Sequence, residues 1–209
     1  MEALLNRSFQ LETEIARLFD LPQAEPSHRT WASKVMCSIA LEHAASAKIL
    51  IGNGHKTSAI SLFRLQYEAL VRSIWVAHAA SEAQVAALCE LINESNFNRL
   101  NNKQLSVDAM LKELKNHLPG HVMDRLMEFK ETSWKPLCSM VHGGVMALQT
   151  HAADFPPDLL KDIVKLSNAV SCLVANSLTN ISSDRSFAGF TTRLYKTYRD
   201  CLPDKEVEY

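Results

Sequence analysis

Apolar residues return every three to four positions along most of the chain, and the pattern breaks only at glycine, proline or clusters of Asn and Ser. An amphipathic helix is predicted over residues 2–19, stopped by Pro22 and Pro26. Ser27 or Thr30 can cap the next, which runs through WASKVMCSIALEHAASAKILIG to Gly52 and Gly54. Thr57 or Ser58 opens a third helix to about residue 78, and Ser81-x-x-Gln84 has capping-box spacing for a fourth, through Ile92 or beyond. The five asparagines of 93–103 are the weakest stretch of the helical pattern.

A helix over 106–117 is broken by Pro119-Gly120, and another spans 121–132. Pro136 is expected in the first turn of a further helix through 149, and Pro156-Pro157-Asp158 introduce a long one to about 182. A last short helix falls within 187–201, followed by a frayed tail. Alternation of period two never persists, and no segment repeats. The expected architecture is all-α: one domain over 1–209, an up-and-down bundle of about six or seven helices. Residues 1–30 form an N-terminal helix and loop, 31–183 the bundle core and 184–209 a C-terminal extension.

Length and composition fit this picture. A chain of 209 residues, 47% hydrophobic and 22% charged, can bury a core without staples. A formal charge of −1 gives no global attraction to polyanions, so any such binding needs a local patch. The five cysteines are scattered without a CxxC pair, and the first four, in apolar helical contexts, read as small buried hydrophobes of a reducing compartment. The first residues lack the basic and apolar runs of a signal peptide. The uncharged stretch 166–183 holds nine Ser, Asn and Thr residues and is too polar to span a bilayer. A cytoplasmic location without membrane attachment follows as the expectation. The small polar residues of that stretch are expected to hydrogen-bond between helices, or to form a symmetric dimer contact.

One segment suggests a site. In SLFRLQYEALVRSIWVAH, Arg64, Glu68 and Arg72 stand one turn apart and share an arc of about 80° with Trp75 on an otherwise apolar helix. Tyr67, Val71 and His78 flank them. Two cations share one anion, so one positive charge is left over. A carboxylate such as Glu42 or Glu94 can close it, or a phosphate can. Closure inside the protein is the expectation, with Arg64, Tyr67, Glu68 and Trp75 as the ligand-binding set if the stripe is open.

Other motifs carry less. Gly54-His55-Lys56-Thr57 imitates the end of a phosphate loop but follows a helix and has Ile49 where the first glycine belongs. His117-x-x-x-His121 has zinc-like spacing, interrupted by Pro119-Gly120. No GxSxG is present, and no metal or cofactor is expected. His142, on a stripe of Leu137, Met140, Val141 and Val145, precedes two glycines that permit close helix contact, a kink or access to the imidazole.

The order LEHAASAKILIGNG, RLQYEALVRSIWVAHAA and SMVHGG resembles uncharacterised bacterial all-helical proteins of the HEPN-like kind, which include relatives in abortive-infection and toxin–antitoxin systems. The resemblance covers the layout of residues 31–183 and rests on Arg64, Glu68, Arg72, Trp75 and His142. It implies a homodimer. HEPN ribonucleases carry an Arg followed by a His after four to six residues, and Arg72 to His78 matches. The resemblance therefore implies one of two functions. The first is a binding or regulatory module with a protein partner or nucleotide-like ligand at the stripe. The second is a metal-independent ribonuclease acting on RNA, with Arg72 on the scissile phosphate and His78, or His142, as acid and base.

Overall fold

The computed structural model describes residues 1–101 and 105–204. Residues 102–104, the first two of them in the expected Asn-rich weak point, and 205–209, the end of the expected frayed tail, lie outside the described residues. Among the described residues the fold is all-α, with an isolated antiparallel bridge between Gln23 and Ser182. Five long helices carry it: α1 (Glu2–Ala16), α2 (His28–Gly52), α3 (Lys56–His78), α7 (Gly120–Val141) and α9 (Pro157–Asn180). Five short ones fill the connections: α4 (Glu82–Cys89), α5 (Phe97–Asn101), α6 (Val107–Leu114), α8 (Val145–Ala153) and α10 (Phe190–Thr197). The count exceeds six or seven because segments of five to nine residues, too short to stand alone, are stabilised by docking on the long helices.

Helix ends follow local chemistry. Ser27 and Thr30 act together, the Ser27 hydroxyl accepting from Thr30 N while Thr30 Oγ1 accepts from Ser27 N. Ser81 and Gln84 form the same reciprocal box on α4, and Ser106 caps α6 at Ala109 N. Between α2 and α3 only Asn53, Gly54 and His55 intervene, with Gly54 at φ 82° and His55 N donating to Leu50 O at 2.8 Å. So short a turn makes the two helices antiparallel neighbours, and their contact is the most extensive in the molecule. α3 also packs on α6, α7, α8 and α9, so it is the central helix. Its exposed surface is correspondingly small.

Several expectations change: α3 starts at Lys56 with no side-chain cap, not at Thr57 or Ser58, and α4 ends at Cys89, short of Ile92. Pro136 lies inside α7, not in the first turn of a new helix. It removes one backbone donor, but Met123, Leu126, Phe129, Leu137 and Met140 make one buried stripe across it, and that burial holds the helix continuous. The break comes instead at the two glycines. Gly143 adopts φ 63°, and Gly144 N donates back to Ser139 O at 2.7 Å, a Schellman-type stop. Ser139 Oγ then accepts from Met146 N and caps α8. The glycines thus turn the chain, and His142 sits exposed at the end of α7.

Of the small polar residues of α9, those in its middle turns point inward, whereas Asn176, Ser177 and Thr179 are half-buried and Asn180 is exposed. Ser167, Asn168 and Ser171 are fully or nearly buried against α1, α2 and α3. α2 is the one described helix long and apolar enough to cross a membrane by length and composition, with mean hydropathy 1.4 over its most apolar window. Here it is a core helix, paired with α3 and carrying a buried lysine. All five cysteines are free; Cys37, Cys172 and Cys201 are buried, whereas Cys89 and Cys138 are half-buried.

Candidate functional site

The central helix brings Arg64, Glu68 and Arg72 together as its spacing requires. Arg72 Nη2 lies 3.4 Å from Glu68 Oε1, and Arg64 Nη2 lies 3.7 Å from Glu68 Oε2. Both distances are long for charge-assisted pairs, so Glu68 holds two guanidiniums loosely rather than one tightly. Side-chain exposure falls from 29% at Glu68 to 16% at Arg64 and 10% at Arg72. The stripe therefore has a buried end and a rim.

Closure of the surplus charge is partial and takes an unexpected form. Neither Glu42 nor Glu94 reaches the stripe; among the described residues, Glu68 alone pairs with either arginine. Arg72 Nη2 instead donates to Leu105 O at 3.3 Å, and the Arg64 guanidinium lies 4.6 Å from the centre of the Trp134 ring on α7. A carbonyl dipole and an aromatic face stabilise cations without cancelling their charge. Arg64 Nε is buried with no hydrogen-bond partner.

Tyr67 and Trp75 are core residues. Tyr67 donates to Leu126 O at 2.7 Å and stacks on Phe129 at 4.2 Å. Burial pushes its phenol well above the ordinary range. Trp75 Nε1 donates to Glu113 Oε2 on α6 at 2.6 Å. Their polar atoms are engaged inside the fold, where they fix α3 against α6 and α7. Arg64 and Glu68 are left as the members of the set that reach solvent.

The Arg72–His78 pair does not converge within one chain. Arg72 is directed at Glu68 and Leu105, whereas His78 is exposed in the last turn of α3. His78's imidazole sits below its ordinary value, first because the packed chain on one side of the ring desolvates it and then through His117 and Arg29. His142 belongs to the α7–α8 turn. Among the described residues no group of His, Cys, Asp or Glu is arranged to hold a metal.

A second polar system was not read from the sequence. Lys48 on α2 is 1% exposed and donates to Glu12 Oε1 on α1 at 2.5 Å, to Ser167 Oγ at 3.3 Å and to Ala44 O at 3.4 Å. Ser167 Oγ donates to Gln66 Oε1, and Gln66 Nε2 donates to Ser167 O and Ser171 Oγ. Asn168 joins Ser8 Oγ to Cys201 O. Burial raises Glu12's carboxyl above its usual range, and Lys48 only partly opposes it. The available signal was weak: Lys48 lies between apolar residues on the α2 pattern, and Gln66 interrupts the apolar surface of α3.

A cleft lies elsewhere, between the first turns of α7, the last turns of α9 and the 182–195 segment, with a volume of about 350 Å3. Sequence reasoning did not locate it because its walls come from three separate segments.

The sequence profile of a family of unknown function (DUF6988) matches residues 37–204, and the chain belongs to that family. The matched region contains the α3 stripe, Lys48 and every wall of the cleft. No curated protein and no solved structure matches the chain.

Proposed function

We propose that this DUF6988 chain is a helical binding module, and that the rim of the α3 stripe takes a phosphate-like anion. The observation that carries the proposal is the unequal charge: two guanidiniums share Glu68 at 3.4 and 3.7 Å, and Arg64 Nε is buried without a partner. An unsatisfied buried donor costs about 1–3 kcal/mol, which an oxyanion that draws the Arg64 guanidinium out toward the rim would recover. A guanidinium can meet such an anion through two parallel N–H groups, a geometry that an ammonium lacks. The resemblance to HEPN-like helical proteins supports placing such a module in a bacterial defence, toxin–antitoxin or regulatory setting.

The ribonuclease alternative has less behind it. Arg72 would have to leave the Leu105 carbonyl to reach a scissile phosphate, and His78 lies roughly a turn and a half further along the helix.

Calorimetric titration with inorganic phosphate tests the proposal. Saturable binding to the full chain is expected, lost in Arg64→Ala and strengthened in Glu68→Gln, which removes the competing carboxylate. Binding that neither substitution alters would refute the stripe as the site.

A further inference from the structure

The cleft between α7, α9 and the 182–195 segment lies apart from the stripe. On α7, Arg125 lines the cleft and Trp134 walls the stripe, nine residues or roughly 13 Å further along the helix. At about 350 Å3 the cleft falls within the range of small-molecule sites.

Its walls differ in chemistry. On α9, Asn176 and Asn180 stand one turn apart and both line the cavity. Among the described residues neither side-chain amide has a hydrogen-bond partner. Each amide offers a donor and an acceptor side by side, which suits the paired donor and acceptor on the edge of a nitrogenous ring. Elsewhere in the lining, Phe187 and Phe190 lie 5.4 Å apart with their rings tilted by 54°. Arg193 covers Phe190 at 5.7 Å, so Phe187 is the ring assigned to a ligand. Such a face stacks on planar heterocycles irrespective of their substituents.

The charged residues of the lining divide by how far they are committed. Asp184, its carboxylate, is held below the usual range by hydrogen bonds from the Ser186 side chain and backbone, so it stays ionised and tied to its own turn. Arg185, next along the chain, has no carboxylate partner among the described residues. His121 adds a second donor to the lining from the first turn of α7, whose backbone donors no side chain caps.

We propose that this cleft binds a small ligand joining a planar nitrogenous ring to an anionic group, of the nucleoside monophosphate class. The ring lies between Phe187 and the Asn176/Asn180 amides, and the phosphate meets Arg185 and His121. The inference rests on the cleft alone and stands independently of the α3 stripe.

The test is calorimetry on the full chain with AMP, GMP, UMP, adenosine and inorganic phosphate. At least one monophosphate is expected to bind saturably, and adenosine and phosphate alone at least tenfold more weakly. Arg185→Ala and Asn180→Ala, at exposed positions, should each weaken it tenfold or more with an unchanged helical circular dichroism spectrum. Arg64→Ala should leave it unaltered. No monophosphate binding up to millimolar concentration would overturn the proposal, as would phosphate binding as tightly as the nucleotide. Nucleotide binding indifferent to Arg185 and Asn180 would do the same. A phosphate response abolished by Arg64→Ala and untouched by Arg185→Ala, without nucleotide binding, overturns the cleft and leaves the stripe standing.

Discussion

Charge enters the interior of this molecule twice, and the two regions handle it differently. In the inner network one cation meets one anion: the three donors of the Lys48 ammonium find Glu12, Ser167 and the Ala44 carbonyl. At the α3 stripe two cations meet one anion, and the difference is absorbed by Trp134 and the Leu105 carbonyl. The first arrangement is neutral in formal charge and joins α1, α2 and α9. The second keeps a net positive charge at a rim that reaches solvent. Burial alone does not distinguish the two regions; the balance of cations and anions does.

The contrast is sharpest in the response to losing one partner. Lys48→Ala strands Glu12 in the core and should cost about 3–5 kcal/mol, measured by chemical denaturation. Glu12→Leu combined with Lys48→Met should return stability to the starting level or above it, because an apolar pair needs no desolvation. A double substitution as damaging as the single one would show that the pair does more than neutralise itself.

Gln66→Leu comes next. It removes the acceptor of the Ser167 hydroxyl and the donor to Ser171, leaving buried hydroxyls short of partners. A loss of about 1–3 kcal/mol is expected in the same denaturation experiment.

The stripe should respond least. Arg64→Ala gives up one cation–π contact, about 0.5–2 kcal/mol, and Glu68→Gln about 1 kcal/mol or less, since both groups reach solvent. Larger losses than at Gln66 would place the stripe with the inner network and remove the distinction between them.

The pH dependence separates the regions by direction. Burial raises Glu12's carboxyl above its usual range, with Lys48 pulling it back. The folded state thus holds this proton more tightly than the unfolded chain does. The associated stability is fully present below the unfolded value of about 4.5 and is lost as pH rises through the raised folded value. Stability measured from about pH 4 upward should carry this decline in the parent chain and lack it in Glu12→Gln. Glu68→Gln should leave it in place.

Much of the fold was legible because it is written locally. Ser27, Ser81, Ser106 and Pro157 start helices for reasons confined to a few neighbouring residues. The inward turn of Ser167, Asn168 and Ser171 followed from the absence of charge between Lys165 and Asp184. Pro136 misled because its local preference for a helix start was overridden by a buried stripe on either side. The spacing of Arg64, Glu68 and Arg72 implied their mutual contact. Trp134, on a different helix, could not be placed against Arg64 without the packing of α7 on α3. The Glu12–Lys48 pair joins different helices, 36 residues apart in sequence, and no periodicity within either helix marks the match.

The most direct test of this balance is a phosphate titration followed by NMR at the arginine Nε–H groups and the inner-network amides. A saturable shift of the Arg64 Nε–H signal is predicted, with the Gln66 and Asn168 side-chain amides unmoved. An Arg64 signal unchanged at saturating phosphate, or equal shifts at Gln66, would contradict an open, positively charged stripe beside a charge-balanced inner network.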